Sequence, residues 1–223
     1  MKIETVSILG TKIARMTMAE VLDWVRMMVE QGKPRHIVTA NAEILHKAWK
    51  DKKFFHIINK ADLITADGSG VIWAARFLGK PLPERVTGID LVHKIFSVAE
   101  NKGWRIYFLG ATEKVVEKAV LNTLSRHPLL QVAGYHNGYY APEETAGVVA
   151  KIAQEAPDIL LVGMGAPRQE YFIQEHLRAL KATVAIGVGG SFDVLAGVMK
   201  RAPRWMQRLG LEWLYRLWQE PGR

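Results

Sequence analysis

Cysteine is missing from all 223 residues, which removes disulfides, cysteine-ligated zinc and thiol nucleophiles from the chemistry open to this chain. That absence fits a reducing cytoplasm. Long apolar runs are missing too: none approaches the ~18 to 20 residues that span a bilayer. The opening Met1-Lys2-Ile3-Glu4-Thr5 lacks the apolar core of a signal peptide, so a soluble or peripheral protein is expected. No two aspartates flank a single residue, which removes a common manganese-binding signature, and the seven histidines show no metal-ligand spacing. No metal site and no cofactor are expected. A dinucleotide fingerprint and a P-loop are both lacking, which disfavours nicotinamide and ATP-hydrolysing chemistry. Repeats and low-complexity segments are absent as well.

What is present is one domain's worth of apolar residues, 49% of the chain, and a net charge of +8. The charge is unevenly placed. Residues 200–223 hold six basic residues against two acidic ones, which is half of the excess. An acidic partner is implied: nucleic acid, anionic lipid or a phosphorylated ligand.

Alternating residues on either side of Leu9-Gly10-Thr11 predict a hairpin over Lys2 to Ala14. Thr17 and Glu20 form a capping box, and the spacing predicts a helix to about Gln31 with Val21, Leu22, Val25 and Met28 inward. Five short apolar segments then each run through a turn into a helix: His36–Ala40, Asp62–Ala66, Trp104–Leu109, Asp158–Val162 and Thr183–Ile186. Such units predict an α/β fold with a mostly parallel sheet covered on both faces. Ligands bind such sheets at the carboxyl ends of the strands. Thr39, Asn41, Asp67, Gly110, Gly163, Gln169 and Gly189 are therefore expected to converge on one crevice. The body of the fold is assigned to residues 1–199 and a basic appendage to 200–223.

Gly187-Val188-Gly189-Gly190, and less strongly Gly163-Met164-Gly165, suit a phosphate-bearing ligand, because glycine lets amides approach an anion. Either turn can equally be a tight strand end. Asp193 suits a ribose hydroxyl or a helix cap. Asp67, directly after a buried segment and before Gly68, suits a general base. It also suits a helix cap, which would favour its ionised form. Thr39 and Asn41, two apart, suit sugar hydroxyls, with Thr39 equally suited to cap the next helix. Arg85, in a loop with little helix tendency, suits a leaving diphosphate or a solvated surface. Asp90 suits a helix start.

The segment from Lys200 interleaves arginines with Trp205, Leu209, Trp213 and with Leu211, Leu214, Trp218 at helical spacing. This suits a helix in a lipid headgroup region with arginines on anionic phosphates. Packing on the body or on a second copy of the chain is the other reading, so a homo-oligomer stays open. Nucleic acid is not expected as a partner, since no recognised motif accompanies the charge.

Taken in order, Thr39-Ala40-Asn41-Ala42-Glu43, Ala66-Asp67-Gly68-Ser69-Gly70, Glu84-Arg85-Val86-Thr87-Gly88-Ile89-Asp90, Tyr107-Phe108-Leu109-Gly110, Gly163-Met164-Gly165-Ala166-Pro167-Arg168-Gln169-Glu170, Gly187-Val188-Gly189-Gly190-Ser191-Phe192-Asp193, Arg201-Ala202-Pro203 and Leu211-Glu212-Trp213-Leu214-Tyr215-Arg216-Leu217 resemble the WecG/TagA/CpsF glycosyltransferases. The resemblance covers almost the whole chain. It implies a Rossmann-like fold and a UDP-sugar donor. The implied acceptor is linked to undecaprenyl diphosphate, at the inner, cytoplasmic face of a bacterial membrane. TagA-type members transfer N-acetylmannosamine in making the linkage unit of wall teichoic acid, and WecG-type members transfer the corresponding uronic acid. Inversion without metal is implied. So are a base role for Asp67 and a catalytic pocket lined by Thr39 and Asn41. Arg85 and Gln169 would contact the donor, with Gly110, Gly163, Gly165, Gly187, Gly189, Gly190, Phe192 and Asp193 around it. Arg216 and Arg223 are the implied appendage arginines, and a further basic, aromatic stretch is implied where this sequence stops. A nucleotide-binding docking module without transfer chemistry is the reading from another class.

Overall fold

The computed structural model of the chain describes residues 3–219, without the side chains of Arg208, Arg216, Leu217 and Gln219. β1 (Thr5–Ile8) and β2 (Thr11–Ala14) form the expected antiparallel hairpin. Its two-residue turn, Leu9 and Gly10, has positive φ at both positions (48° and 82°), the twist that closes such hairpins. α1 (Met18–Gln31) starts at the Thr17–Glu20 capping box, ends at the left-handed Gly32, and buries the four residues expected plus Trp24.

The chain continues through β3 (Arg35–Ala40), α2 (Ala42–Lys50), α3 (Lys52–Asn59), β4 (Leu63–Ala66), α4 (Ser69–Phe77), α5 (Gly88–Lys102), β5 (Arg105–Gly110), α6 (Glu113–Arg126) and β6 (Gln131–His136). A short 3-10 turn (Pro142–Glu144) leads to α7 (Thr145–Glu155), β7 (Ile159–Gly163), α8 (Arg168–His176), β8 (Val184–Gly187) and α9 (Ser191–Leu195). The appendage adds α10 (Arg204–Arg208) and α11 (Glu212–Gln219). The fold is α/β as expected, with one strand more than the five apolar segments. That strand is β6, at the edge.

The main sheet is all parallel in the order β4-β3-β8-β7-β5-β6. Its inner strands are mostly apolar because they are covered on both faces, with His36 and Thr39 of β3 as buried polar exceptions. Ile37, Ile106, Phe108, Ile159, Leu161, Val184 and Ile186 face a core with α1, α5, α6 and α9. Their neighbours Val38 and Ala40 face the hairpin, α2, α3 and α4, while Leu109, Leu160, Val162 and Ala185 face α7 and α8.

β8 runs into α9 on one face, whereas its neighbours β3 and β7 run into α2 and α8 on the other. The chain therefore diverges on both sides of β8, and a crevice opens at its carboxyl end. No helix among the described residues is long and apolar enough to cross a membrane.

Candidate active site

Three strand ends meet at the crevice through glycine. A Cβ on Gly110 would sit 2.3 Å from the Gly163 carbonyl oxygen, and one on Gly163 would sit 2.9 Å from the Gly189 carbonyl. β5, β7 and the turn after β8 can approach this closely only without side chains. At Gly165 and Gly189 a Cβ would meet nothing within 4 Å, although both have positive φ, 77° and 51°. Those two glycines line open space.

On the other side of β8, the Asp67 amide donates to the Ala40 carbonyl (2.8 Å) and the Val86 amide to the Ala66 carbonyl (2.9 Å). These bonds lay the Arg85–Gly88 loop along the end of β4. Asp67 Oδ2 accepts the Gly88 amide at 3.0 Å. Asp67 thus sits at the start of α5, while the cap position of α4 is taken by Gly68. Thr87 caps α5 by accepting from the Asp90 amide (3.2 Å) and donating to Asp90 Oδ2 (2.5 Å). Asp90 is the third residue of that helix, not its cap.

Thr39 Oγ1 donates to the Gly187 carbonyl at 2.7 Å. A Cβ on Gly88 would lie 3.2 Å from Thr39 Oγ1 and 3.5 Å from Asp67 Oδ2, so the hydroxyl and the carboxylate flank one point. Capping of α2 falls to Asn41, whose Oδ1 accepts the Ile44 amide at 2.9 Å, and not to Thr39. Asn41 stays beside the Asp67 loop, with a Gly68 Cβ position 3.6 Å from its own Cβ.

Arg85 is half-buried, its Nη2 3.4 Å from Glu212 Oε2 on α11. Arg201 bridges Glu212 (3.4 Å) and Asp90 (2.5 Å). Burial would push the Asp90 carboxyl up. Hydrogen bonds from Arg201 and Thr87, with the charges of Arg201 and Arg85, outweigh it and hold Asp90 below the usual carboxylate range. Ser69 Oγ donates to the Gly210 carbonyl at 2.6 Å. The turn between α10 and α11 is thereby seated on the start of α4, two residues from Asp67.

On the far side of β8, Gln169 is turned into the protein. Its Oε1 accepts the Gly189 amide (3.0 Å) and its Nε2 donates to Glu170 Oε1 (2.7 Å), leaving the residue 2% exposed. This differs from the expectation that the amide contacts a ligand: it holds the turn after β8. Phe192 is also corrected. Its ring is fully buried and packs on Phe108 with centroids 5.5 Å apart, so it belongs to the core. Asp193 lies in the first turn of α9, its Oδ2 3.4 Å from a Gly190 Cβ position, and its carbonyl accepts the Val198 and Met199 amides. Arg223 and the side chain of Arg216 lie outside the described residues.

Glu170 and Glu212 were not singled out from the sequence. Glu170 occupies the inward stripe of α8 with Ile173, one helical turn on, and a glutamate at an inward position of a helix is the signal that was available. Burial pushes its carboxyl up to about 7, against the opposing pull of the Gln169 hydrogen bond, its own backbone amide and the Lys47 charge. Among the described residues, no three His, Cys, Asp or Glu side chains gather where they could hold a metal ion.

The profile of the glycosyl transferase WecG/TagA/CpsF family matches residues 6–223, a span that includes every crevice residue above. The chain belongs to this family. As a WecG/TagA/CpsF member it is a glycosyltransferase. It is similar to the N-acetylglucosaminyldiphosphoundecaprenol N-acetyl-beta-D-mannosaminyltransferase of Bacillus spizizenii strain W23. The two are 38% identical over 195 residues, 87% of this chain and 75% of that one. The protein of the same name from Staphylococcus aureus strain NCTC 8325 is 37% identical over 223 residues, 98% of this chain and 87% of its own.

Proposed function

We propose that this glycosyltransferase moves N-acetylmannosamine from UDP to an N-acetylglucosamine carried on undecaprenyl diphosphate, inverting the anomeric centre, as the linkage step of wall teichoic acid synthesis. The observation that carries the reading is the placement of the Asp67 carboxylate, oriented by the Gly88 amide and facing the Thr39 hydroxyl across Gly88, in a chain similar along nearly its full length to enzymes of that name. The acceptor oxygen attacks the anomeric carbon, the bond to the diphosphate breaks with its electrons leaving on UDP, and Asp67 takes the acceptor proton.

The open glycine turns at Gly165 and Gly189 take the diphosphate. Asn41 contacts sugar hydroxyls. Arg85 supplies positive charge to the leaving group once it exchanges Glu212 for the diphosphate, and Arg216 and Arg223 add to it. Arginines and amides then do what a metal does in other sugar-nucleotide transferases. The acceptor places the enzyme at the inner face of a bacterial membrane, against anionic lipid.

The test is UDP release from UDP-N-acetylmannosamine, with and without a lipid-diphosphate-N-acetylglucosamine analogue, in EDTA. Acceptor-dependent release is expected. Release that requires added metal would sink the metal-free mechanism, and release only from another UDP-sugar in a donor panel would reassign the donor.

A further inference from the structure

Glu170 is fully buried, and it is the one side chain of the crevice wall with a buried oxygen, Oε2, that has no hydrogen-bond partner among the described residues. Its other oxygen accepts from Gln169 Nε2, whose Oε1 in turn holds the Gly189 amide. The two side chains are clamped against β8: a Cβ on Gly187 would lie 2.8 Å from Gln169 Nε2 and 3.2 Å from Glu170 Oε1. An amide side chain has two orientations differing by a half-turn. Only one presents oxygen to the Gly189 N–H, and the acceptor at Glu170 selects it.

We propose that Glu170 is a positioning residue for the donor turn, locking the Gln169 amide so that Gly189 is held in the conformation that receives the UDP diphosphate. This rests on the reading that the turn after β8 is the donor side.

A carboxyl without a partner on Oε2 is accommodated neutral, because a buried charge there would go uncompensated. The surroundings agree. The strands beneath present Val38, Ala40, Val162, Ala185 and Gly187, with His36, kept neutral by burial, farther down the same side of β3. Phe54 of α3 packs against Tyr171 (5.8 Å), and Asp51, just before α3, meets the Tyr171 hydroxyl (3.4 Å). The charge acting on Glu170 is Lys47 of α2, which is already paired with Glu43 (2.7 Å) and the Ala166 carbonyl (3.2 Å). With the carboxyl near 7, raising the pH through neutrality ionises it, pulls it toward solvent and sets a negative charge behind a turn meant for an anion. Donor binding therefore weakens on the alkaline side.

Two variants and two readouts test this. Glu170→Ala is expected to raise the donor KM about tenfold with a much smaller change in kcat. In the parent, the donor KM is expected to climb several-fold between pH 6 and 8.5. Glu170→Gln, which mimics the neutral acid, is expected to recover most of what Glu170→Ala loses and to flatten that climb. Amide exchange of Gly189 reads the positioning without any ligand. Its protection should fall in Glu170→Ala while Val188, whose amide donates to Val162 in the sheet (2.9 Å), stays protected as an internal control. Unchanged Gly189 protection, or an equal alkaline rise in Glu170→Gln, overturns the proposal. Lost protection in a protein that binds no UDP at any pH would keep the positioning and refute the donor-side reading. If Glu170→Ala does not fold, the pH comparison with Glu170→Gln decides alone.

Discussion

Two buried residues with opposite titration behaviour show how much single positions carry. His36 lies near the start of β3 with both ring nitrogens buried and without a partner among the described residues, and burial pushes its imidazole down to about 3. In the folded protein it stays neutral while the unfolded chain takes a proton below about 6.5, so its contribution to stability is lost as pH falls from about 6.5 toward 3. Glu170, raised to about 7 from 4.5, has the opposite sign: its contribution is full below about 4.5 and is lost as pH rises through 7. Between pH 7 and 5 the two nearly cancel, so the parent's urea midpoint should move little on their account. His36→Leu removes one side of the balance. Relative to the parent it should gain about 2 kcal/mol on going from pH 7 to pH 5, read by urea unfolding at both values. A pH-independent difference would show that His36 is not neutral in the fold.

Asp67 was legible as a candidate, because an acidic side chain directly after a buried strand and before a glycine suits a general base as well as a helix cap. What the sequence left open was its partner, the Gly88 amide 21 residues away. Asp67→Asn keeps the shape and can still accept that amide. It should lower kcat by about two to four orders of magnitude, the worth of a positioned base, while UDP binding by calorimetry stays at the parent level. Near-parental turnover would remove Asp67 as the base. Thr39 and Gln169 were legible as polar residues near strand ends, but not in what they hold. Thr39 reaches the Gly187 carbonyl 148 residues on, and the β3–β8 pairing that makes this possible cannot be read from either segment alone.

At the scale of elements, the strongly patterned ones were readable: the hairpin, α1 with its capping box, and the five apolar strands. The elements missed lacked that patterning. β6 reads Gln131-Val132-Ala133-Gly134-Tyr135-His136 and is mostly half-exposed at the sheet edge, so no apolar run marks it. Gly134 is needed there because a Cβ would come within 2.8 Å of the Tyr107 ring. α3 was hidden because only one residue separates it from α2. That residue is Asp51, whose amide closes α2 on the Lys47 carbonyl while its Oδ1 caps α3 by accepting from Lys53 (2.8 Å) and Phe54 (3.2 Å). One side chain makes two helices out of what would read as one. Asp51→Ala should cost about 1 kcal/mol, a fall in Tm of about 2 to 4 °C for a chain this size. Thermal unfolding followed by circular dichroism checks it, and an unchanged Tm would mean that water caps α3 equally well.

At the scale of the molecule, about half of the large apolar residues exposed among those described lie on α4, at its end and in the α10–α11 segment. α4 starts two residues after Asp67 and carries Trp73, Phe77 and Leu78 outward, at 54%, 93% and 52% exposure. The α10–α11 turn leans on it: a Cβ on Gly210 would meet Ser69 at 2.7 Å and the Trp73 ring at 3.5 Å. Trp205, Leu209, Trp213 and Trp218 extend the exposed surface beyond α4, with Arg76, Lys80 and Arg204 exposed in the same segments. By composition the appendage suits lipid contact or packing on the body or a second copy, whereas nothing in the sequence joins α4 to it, since Trp73 and Phe77 are separated from the appendage by more than 120 residues. On the proposed function, an acceptor sugar on a diphosphate reaches only a short way from the bilayer, so a lipid-facing surface would border Asp67, as α4 does. Trp73→Ser with Phe77→Ser should weaken partition onto phosphatidylglycerol-containing vesicles by about tenfold or more, from the apolar area withdrawn from lipid. Turnover of the full-length lipid acceptor should fall with it. Turnover of a short, water-soluble diphosphate acceptor should not, because both side chains are exposed to solvent. Unchanged vesicle partition would assign this face elsewhere, and a parent that is dimeric by light scattering while the double variant is monomeric would assign it to a second copy of the chain.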